Sequence, residues 1–185
     1  MTTPPWRSLL EKVLSHEPRA RFAQLATLRA DGRPANRTVT FRAFASADRL
    51  LFTTDTRSTK VEPLARHPCG ELCWYFAQAR VQFRLAGIVS LAAAEARGEL
   101  ARARLRIWRE GSDAFRLSFV GPAPGSLHDG EPAAPQTNGG EPPPHFALLL
   151  LEPDEVDVLE LGSTPHRRVL FQRRDDQWFS ARLNP

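Results

Sequence analysis

The sequence predicts a mainly β, α+β protein whose antiparallel strands close on themselves, with a helix at the N-terminus and two or three more at the periphery. About eight short segments rich in Val, Thr, Phe and Leu recur along the 185 residues, and most are joined by short polar turns. A clean helical stripe stands at the start, within residues 5–17. Neither βαβ alternation nor a Gly-x-Gly-x-x-Gly run is present, which argues against a parallel dinucleotide-binding sheet. The length suits one domain, 1–185, and is short for two.

In order along the chain, Trp6, Leu9, Leu10, Val13 and Leu14 make the i, i+3, i+4, i+7, i+8 stripe of a core-packed helix, with Pro4 or Pro5 suited to its start. Residues 21–29 and 36–44 read as a hairpin around Ala30-Asp31-Gly32-Arg33, followed by a strand at 50–54. A short helix is expected over 60–67, strands over 71–76 and 81–91, and a bulge or corner at Gly87. Residues 92–110 have helical composition, and 113–119 read as a further short helix capped by Asp113. Residues 121–144 are rich in proline and glycine and poor in large apolar side chains, so they read as a mobile loop. The strand-like segments 145–152, 156–161, 168–173 and 177–183 are too few to form their own core and must return to the first sheet.

Composition narrows the function classes. Hydrophobic residues make up 42%, which argues against wholesale disorder, and no apolar run approaches a membrane span. Residues 1–7 lack the features of a signal peptide, so a soluble cytoplasmic protein without a membrane partner is expected. The net charge of +4 comes from 23 arginines and two lysines. These cations are dispersed and not interleaved with stacking aromatics, so a phosphorylated small molecule fits better than nucleic acid. Cys69 and Cys73, if on one strand, stand about 13 Å apart, beyond disulfide reach, and the scattered histidines offer no metal spacing. They read as buried free thiols. No Ser-His-Asp or metal constellation is recognisable, so no catalytic residue is named.

The most informative stretch is Thr53-Thr54-Asp55-Thr56-Arg57-Ser58-Thr59-Lys60, where a strand gives way to a helix. Thr59 and Glu62 match a capping box that would place Lys60 at the first helical position. Arg57 can fork onto phosphate oxygens, Lys60 adds a point charge, and the Thr54 and Ser58 hydroxyls can fill remaining lone pairs. Arg37, one strand earlier in Arg37-Thr38-Val39-Thr40-Phe41-Arg42, would supply a third cation. The same residues also fit ordinary capping and solvated surface charge, so residue chemistry alone leaves the occupant open.

Three segments, RTVTFR at 37–42, LLFTTDTRSTK at 50–60 and VQFRLAG at 81–87, resemble the flavin-binding split-barrel proteins related to pyridoxamine 5′-phosphate oxidase. HRRVLFQRRDDQWFSARLNP at 166–185 is similar to that family's closing hairpin. The resemblance implies an antiparallel split β-barrel that binds flavin mononucleotide (FMN). It implies that Arg37, Arg57, Ser58 and Lys60 hold the flavin phosphate, that Thr53 and Thr54 line the cofactor, and that Val39, Thr40 and Arg42 run beside its ring. Gln82 would hydrogen-bond the ring edge, although as a residue alone it reads as a solvated strand position. Arg168 would reach the flavin of a partner subunit, which implies a homodimer with the site between protomers.

Departures from the pattern concern substrate. His166 follows Thr164-Pro165, so the arginine of an Arg-x-His pair is missing, and Trp108, Arg116 and Ser118 do not reproduce the family's Tyr, Arg and Ser spacing. A Trp near the flavin is replaced by Val158 or Leu159. The chain is therefore closer to the FMN-binding branch than to the vitamin B6 enzyme. The expected function is a flavin-dependent oxidoreductase on a small anionic or phosphorylated molecule. A non-catalytic flavin-binding or flavin-sensing module and pyridoxamine 5′-phosphate oxidase itself are the alternatives.

Overall fold

Alternation of apolar and polar residues along the strands rolls them around one interior. The computed structural model describes residues 3–127 and 140–185. Its elements are α1 (Pro5–His16), β1 (Phe22–Leu28), β2 (Pro34–Phe44), β3 (Leu50–Asp55), α2 (Val61–Arg66), β4 (Cys69–Phe76), β5 (Val81–Ala92), α3 (Gly98–Glu110), α4 (Asp113–Leu117), β6 (Phe146–Glu160), β7 (Arg167–Arg174) and β8 (Gln177–Leu183). All pairings are antiparallel, in the order β3-β2-β1-β4-β5-β6-β7-β8, and an additional β3–β6 pairing closes the first six strands into a barrel. The strands β7 and β8 extend the sheet beyond β6. This is the split-barrel architecture that the sequence predicts.

In β1, Ala23, Leu25 and Thr27 point inward while Phe22, Gln24, Ala26 and Leu28 point out. Phe41, Phe52, Leu72, Trp74, Phe76, Phe83 and Leu85 fill the same interior, and α1 adds Trp6, Leu10, Val13 and Leu14. Each fully buried large side chain contributes roughly 1.5–3 kcal/mol. Trp6 meets Trp178 of β8 edge-on at 5.5 Å, which ties α1 to the closing hairpin. A second cluster lies outside the barrel, where Ala103, Ile107 and Trp108 of α3 cover Leu51 of β3 and Phe146, Leu148 and Leu150 of β6. Phe22, Tyr75, Ile88 and Phe179 remain exposed on β1, β4, β5 and β8.

Several boundaries differ from the sequence reading. Helix α3 starts at Gly98, because pairing of Ala92 with Leu148 carries β5 to Ala92 and overrides the helical propensity of the alanines. Ser112, and not Asp113, caps α4 by accepting from the Phe115 N–H. Segments 145–152 and 156–161 form one 15-residue strand, β6, with a register shift opposite Ala86 and Gly87. Of the segment expected to be a mobile loop, 128–139 lie outside the described residues. The two cysteines share β4, which starts at Cys69, and both are free thiols. Cys69 is exposed and Cys73 only partly covered, so the expected burial is not found: Cys69 stands at the strand's end. No described helix is long and apolar enough to cross a membrane.

The bulge makes Gly87 obligatory for a spatial reason. A Cβ there would collide with the Glu152 carbonyl oxygen and stand 2.7 Å from Pro153 Cα, both backbone atoms that cannot swing away. Gly87→Ala is expected to lower stability by about 2 kcal/mol, as overpacking does. An unchanged urea midpoint for this variant would show that the bulge tolerates a side chain.

Candidate functional site

At the entrance to β2, Arg37 reaches back over β1. Its Nη1 donates to the Leu25 carbonyl at 3.0 Å and to Thr27 Oγ1 at 2.6 Å. Lys60, at the N-cap of α2, donates from Nζ to Ser58 Oγ at 2.7 Å, and Ser58 Oγ donates to the Asp55 carbonyl at 2.8 Å. Arg37 and Lys60 border a cavity of about 490 Å³, with Leu28, Thr59, Glu62 and Pro63 on its wall. That volume lies in the range of small-ligand sites.

Neither cation has a carboxylate partner among the described residues, and the nearby Glu62 pairs with Arg66 at 2.6 Å. Burial pulls the Lys60 ammonium below the usual lysine range, and the Arg37 charge lowers it further. Burial likewise lowers Arg37, with Arg29 adding to the effect. The Asp55 carboxylate offsets part of the Lys60 shift from beyond ion-pair reach, and two like charges held half-buried in this way are costly unless an anion joins them. Two cations and the cavity-lining Thr59 make a donor set suited to a phosphate monoester, which Ser58 joins only by turning its hydroxyl away from the Asp55 carbonyl.

The turn before Lys60 is organised differently from the sequence expectation. No side chain caps α2, and the Thr59–Glu62 capping box is absent. Asp55 takes over that work. Its Oδ1 accepts from the Arg57 backbone N–H at 2.8 Å, and its carboxylate receives the Arg57 guanidinium with a shortest contact of 2.7 Å. Burial alone would raise the Asp55 carboxyl, but these hydrogen bonds outweigh it and hold it below the usual aspartate range. Arg57 therefore spends its fork on Asp55, and its Nη1 donates to the Gly121 carbonyl at 2.9 Å. The helix, of six residues, is short, so the side-chain cations carry the anion-binding character of this place.

On the outer face of β2 stands Arg42, another half-buried cation without a carboxylate partner among the described residues. Its guanidinium lies over the Phe115 ring of α4 at 4.4 Å and reaches Thr53 Oγ1 at 3.4 Å. Thr40 shares this face by alternation. Val39 and Thr54 turn their side chains inward, at 6% and 5% exposure, so only their backbones can border a ligand. Gln82 lies on β5, three strands from β2 in either direction around the barrel. Arg168 pairs with Leu159, eight residues past Leu151, the last β6 residue paired to β3, which is roughly 26 Å along the strand. Its guanidinium is engaged by Asp157 at 2.7 Å. One chain thus gathers Arg37, Ser58 and Lys60 at one place and Thr40, Arg42 and Thr53 at another, and leaves Gln82 and Arg168 apart.

Residues 3–93 match the family described as pyridoxamine 5′-phosphate oxidase, FMN-binding domain. A pyridoxine/pyridoxamine 5′-phosphate oxidase 2 from Arabidopsis thaliana is 36% identical over 98% of this chain and 97% of its own. The chain belongs to the pyridoxamine 5′-phosphate oxidase family. A solved pyridoxamine 5′-phosphate oxidase-related, FMN-binding protein from Nostoc punctiforme is 42% identical over the full length of both chains, with a TM-score of 0.90. PhzG from Burkholderia lata, solved with tetrahydrophenazine-1-carboxylic acid, shares the fold at 21% identity and a TM-score of 0.76, covering 100% of this chain and 98% of its own. FMN is the cofactor of this family's barrel, and a phosphate monoester is what the Arg37 and Lys60 cavity suits.

Three features were missed in the sequence. Asp55 was legible in principle as an Asp two residues before a turn N–H. Thr59 was read as a cap and instead lines the cavity. Phe115 gave no signal, because its contact with Arg42 joins residues 73 apart.

Asp55 contributes stability that is present above the ordinary aspartate range and lost as pH falls through its depressed folded value. Asp55→Asn is expected to be less stable by about 2 kcal/mol at neutral pH. The gap from the parent should narrow in acid, and a gap independent of pH would show that the carboxylate charge is not what holds the turn.

Proposed function

We propose that this protein is an FMN-dependent oxidoreductase acting on a small anionic molecule. The observation that carries the reading is the pair of cations, Arg37 and Lys60, which form no ion pair among the described residues and border one cavity in a family whose cofactor ends in a phosphate. In this reading Arg37 and Lys60 hold the FMN phosphate with Ser58 and Thr59, while Thr40, Arg42 and Thr53 border the ring together with the backbone of Val39 and Thr54. When bound, FMN supplies two-electron transfer through its N5. Arg42 then places a fixed positive charge beside the ring, where it can hold an anionic substrate or offset developing negative charge, and Phe115 keeps water from one side of it.

Gln82 and Arg168 complete the site only if a second copy of the chain delivers them, so a homodimer with the cofactor between protomers belongs to the proposal. The exposed Phe22 and Tyr75 lie on this outer sheet face and suit burial against such a partner. The whole chain then works as one domain, and its setting is the cytoplasm.

Pyridoxamine 5′-phosphate oxidation is the narrower version, supported by the name of the Arabidopsis relative. Against it, Arg116 donates to the carbonyls of Trp108, Arg109 and Gly111, and Ser118 Oγ donates to the Phe115 carbonyl. Both side chains are thus occupied in shaping α4. His166 is exposed and bonded through Nδ1 to the Ser163 carbonyl, with no arginine two residues before it.

Turnover of pyridoxamine 5′-phosphate, followed as aldehyde formation by the flavin-loaded protein, separates these versions. Product formation supports the vitamin B6 reaction. Bound flavin with no turnover of this or other anionic amines and alcohols favours a non-catalytic flavin-binding module. A colourless protein that FMN does not stabilise against heat would remove the central claim.

Lys60→Met should weaken FMN by at least about tenfold and leave riboflavin, which lacks the phosphate, nearly unchanged. Because burial depresses Lys60 in the free protein and a phosphate would raise it, FMN affinity should be full below the depressed value and fall as pH rises through it. That alkaline decline should vanish in Lys60→Met. Equal losses of FMN and riboflavin in titrations of flavin fluorescence would show that the cavity holds another anion.

A further inference from the structure

We infer that Arg57 is a positioning residue that fastens the α4 segment to the phosphate turn and so keeps Phe115 against Arg42. The inference rests on the FMN reading above and reassigns the cation that the turn displays most openly in its sequence. Every contact of its guanidinium favours this role. The Nε and Nη2 groups fork onto Asp55, a carboxylate almost withdrawn from solvent, and Nη1 donates to the Gly121 carbonyl, 64 residues away. The Asp55 hydrogen bond raises the Arg57 guanidinium, so its charge is already answered, unlike those of Arg37 and Lys60.

The other end of this link is a short, stiff path. Val120 and Phe119 donate their backbone N–H groups to the Leu117 and Arg116 carbonyls, which joins Gly121 to the last turn of α4. Phe119 packs edge-on against Phe115 at 5.3 Å and Phe146 at 4.8 Å. Phe115 in turn lies under the Arg42 guanidinium at 4.4 Å. At its start, α4 is fixed by the Ser112 cap and by Gly111, where a Cβ would run into the Phe115 ring. Past Gly121 the chain passes the turn itself, since a Cβ on Gly125 would stand 3.9 Å from Thr59 Cγ2. Releasing Arg57 therefore frees one anchor of a segment whose far side sets the environment of Arg42. Neither Arg37 nor Lys60 hydrogen-bonds to Arg57, so that release breaks no contact of the phosphate cations.

The experiment compares Arg57→Met with Lys60→Met in two measurements. FMN and riboflavin affinities of the apoprotein are read by flavin fluorescence. Binding of pyridoxal 5′-phosphate, a phosphorylated aromatic probe for the Arg42 side, is read on the flavin-loaded protein by its absorbance change. Lys60→Met should cut the preference for FMN over riboflavin by at least about tenfold, whereas Arg57→Met should leave that preference within about twofold. Arg57→Met should instead weaken the probe by about fivefold or more, and Phe115→Leu should reproduce that loss. Hydrogen exchange at the Ser118, Phe119 and Val120 amides should quicken in Arg57→Met and stay at the parent rate in Lys60→Met.

If Arg57→Met fails to fold, Arg57→Lys serves, because an ammonium cannot fork onto Asp55 and reach Gly121 together. A selective loss of FMN in the Arg57 variants would make Arg57 a phosphate ligand and overturn the inference. Probe binding that is absent in the parent, or unchanged in the variants, would overturn it equally. Failure of Lys60→Met to discriminate FMN from riboflavin would instead count against the underlying cofactor reading.

Discussion

The pairing of β3 with β6 is the constraint on which the remainder depends. Six residues of β3, from Leu50 to Asp55, run against Leu151 to Phe146 and turn an open meander into a closed barrel. Closure removes two sheet edges and gives the interior a complete wall for Trp74, Phe76 and Phe83. It also fixes where β3 ends, at Asp55, beside the entrance to the barrel. The Thr56 N–H donates to the His145 carbonyl, so the last bond of closure leads directly into the turn that carries Lys60. A site at that turn is therefore held by the barrel and does not depend on the intrinsic stability of the short helix behind it.

The second constraint is charge. Among the described residues, many arginines meet a carboxylate, as Arg7 does with Asp48 and Arg173 with Glu152. Arg37, Arg42 and Lys60 meet hydroxyls, carbonyls or an aromatic face instead. In the proposed reading an apoprotein built this way carries unfavourable charge at its site, which a bound anion would relieve. Cofactor binding and stability are then linked by mass action, since only the folded barrel gathers these cations.

Much of the fold was legible because its signals are local. The stripe of Trp6, Leu10, Val13 and Leu14, the turn at Gly32 and the bulge at Gly87 each declare themselves within a few residues. The strand β6 was read as two because a break at Glu152-Pro153 resembles a turn in sequence, whereas the bulge absorbs it and pairing with β5 continues on both sides. At the site, the sequence exposed the cations but not their partners. Arg57 and Lys60 look alike on paper; what separates them is a buried carboxylate two residues from one of them and a carbonyl 64 residues away. Such tertiary assignments follow from geometry that no local pattern encodes.

Closure of the barrel spans a long stretch of chain, for Thr54 finds Ala147 only after α2, β4, β5, α3, α4 and the proline- and glycine-rich segment. Assembly must therefore gather distant strands before their pairing is rewarded, and folding is set by topology to be slow relative to a helical domain of this size. The entropy of closing a loop grows only with the logarithm of its length, about 0.6 kcal/mol for each doubling. A change of length between Gly125 and Gly140, which leaves the Arg57–Gly121 link in place, consequently adds only a small closure cost.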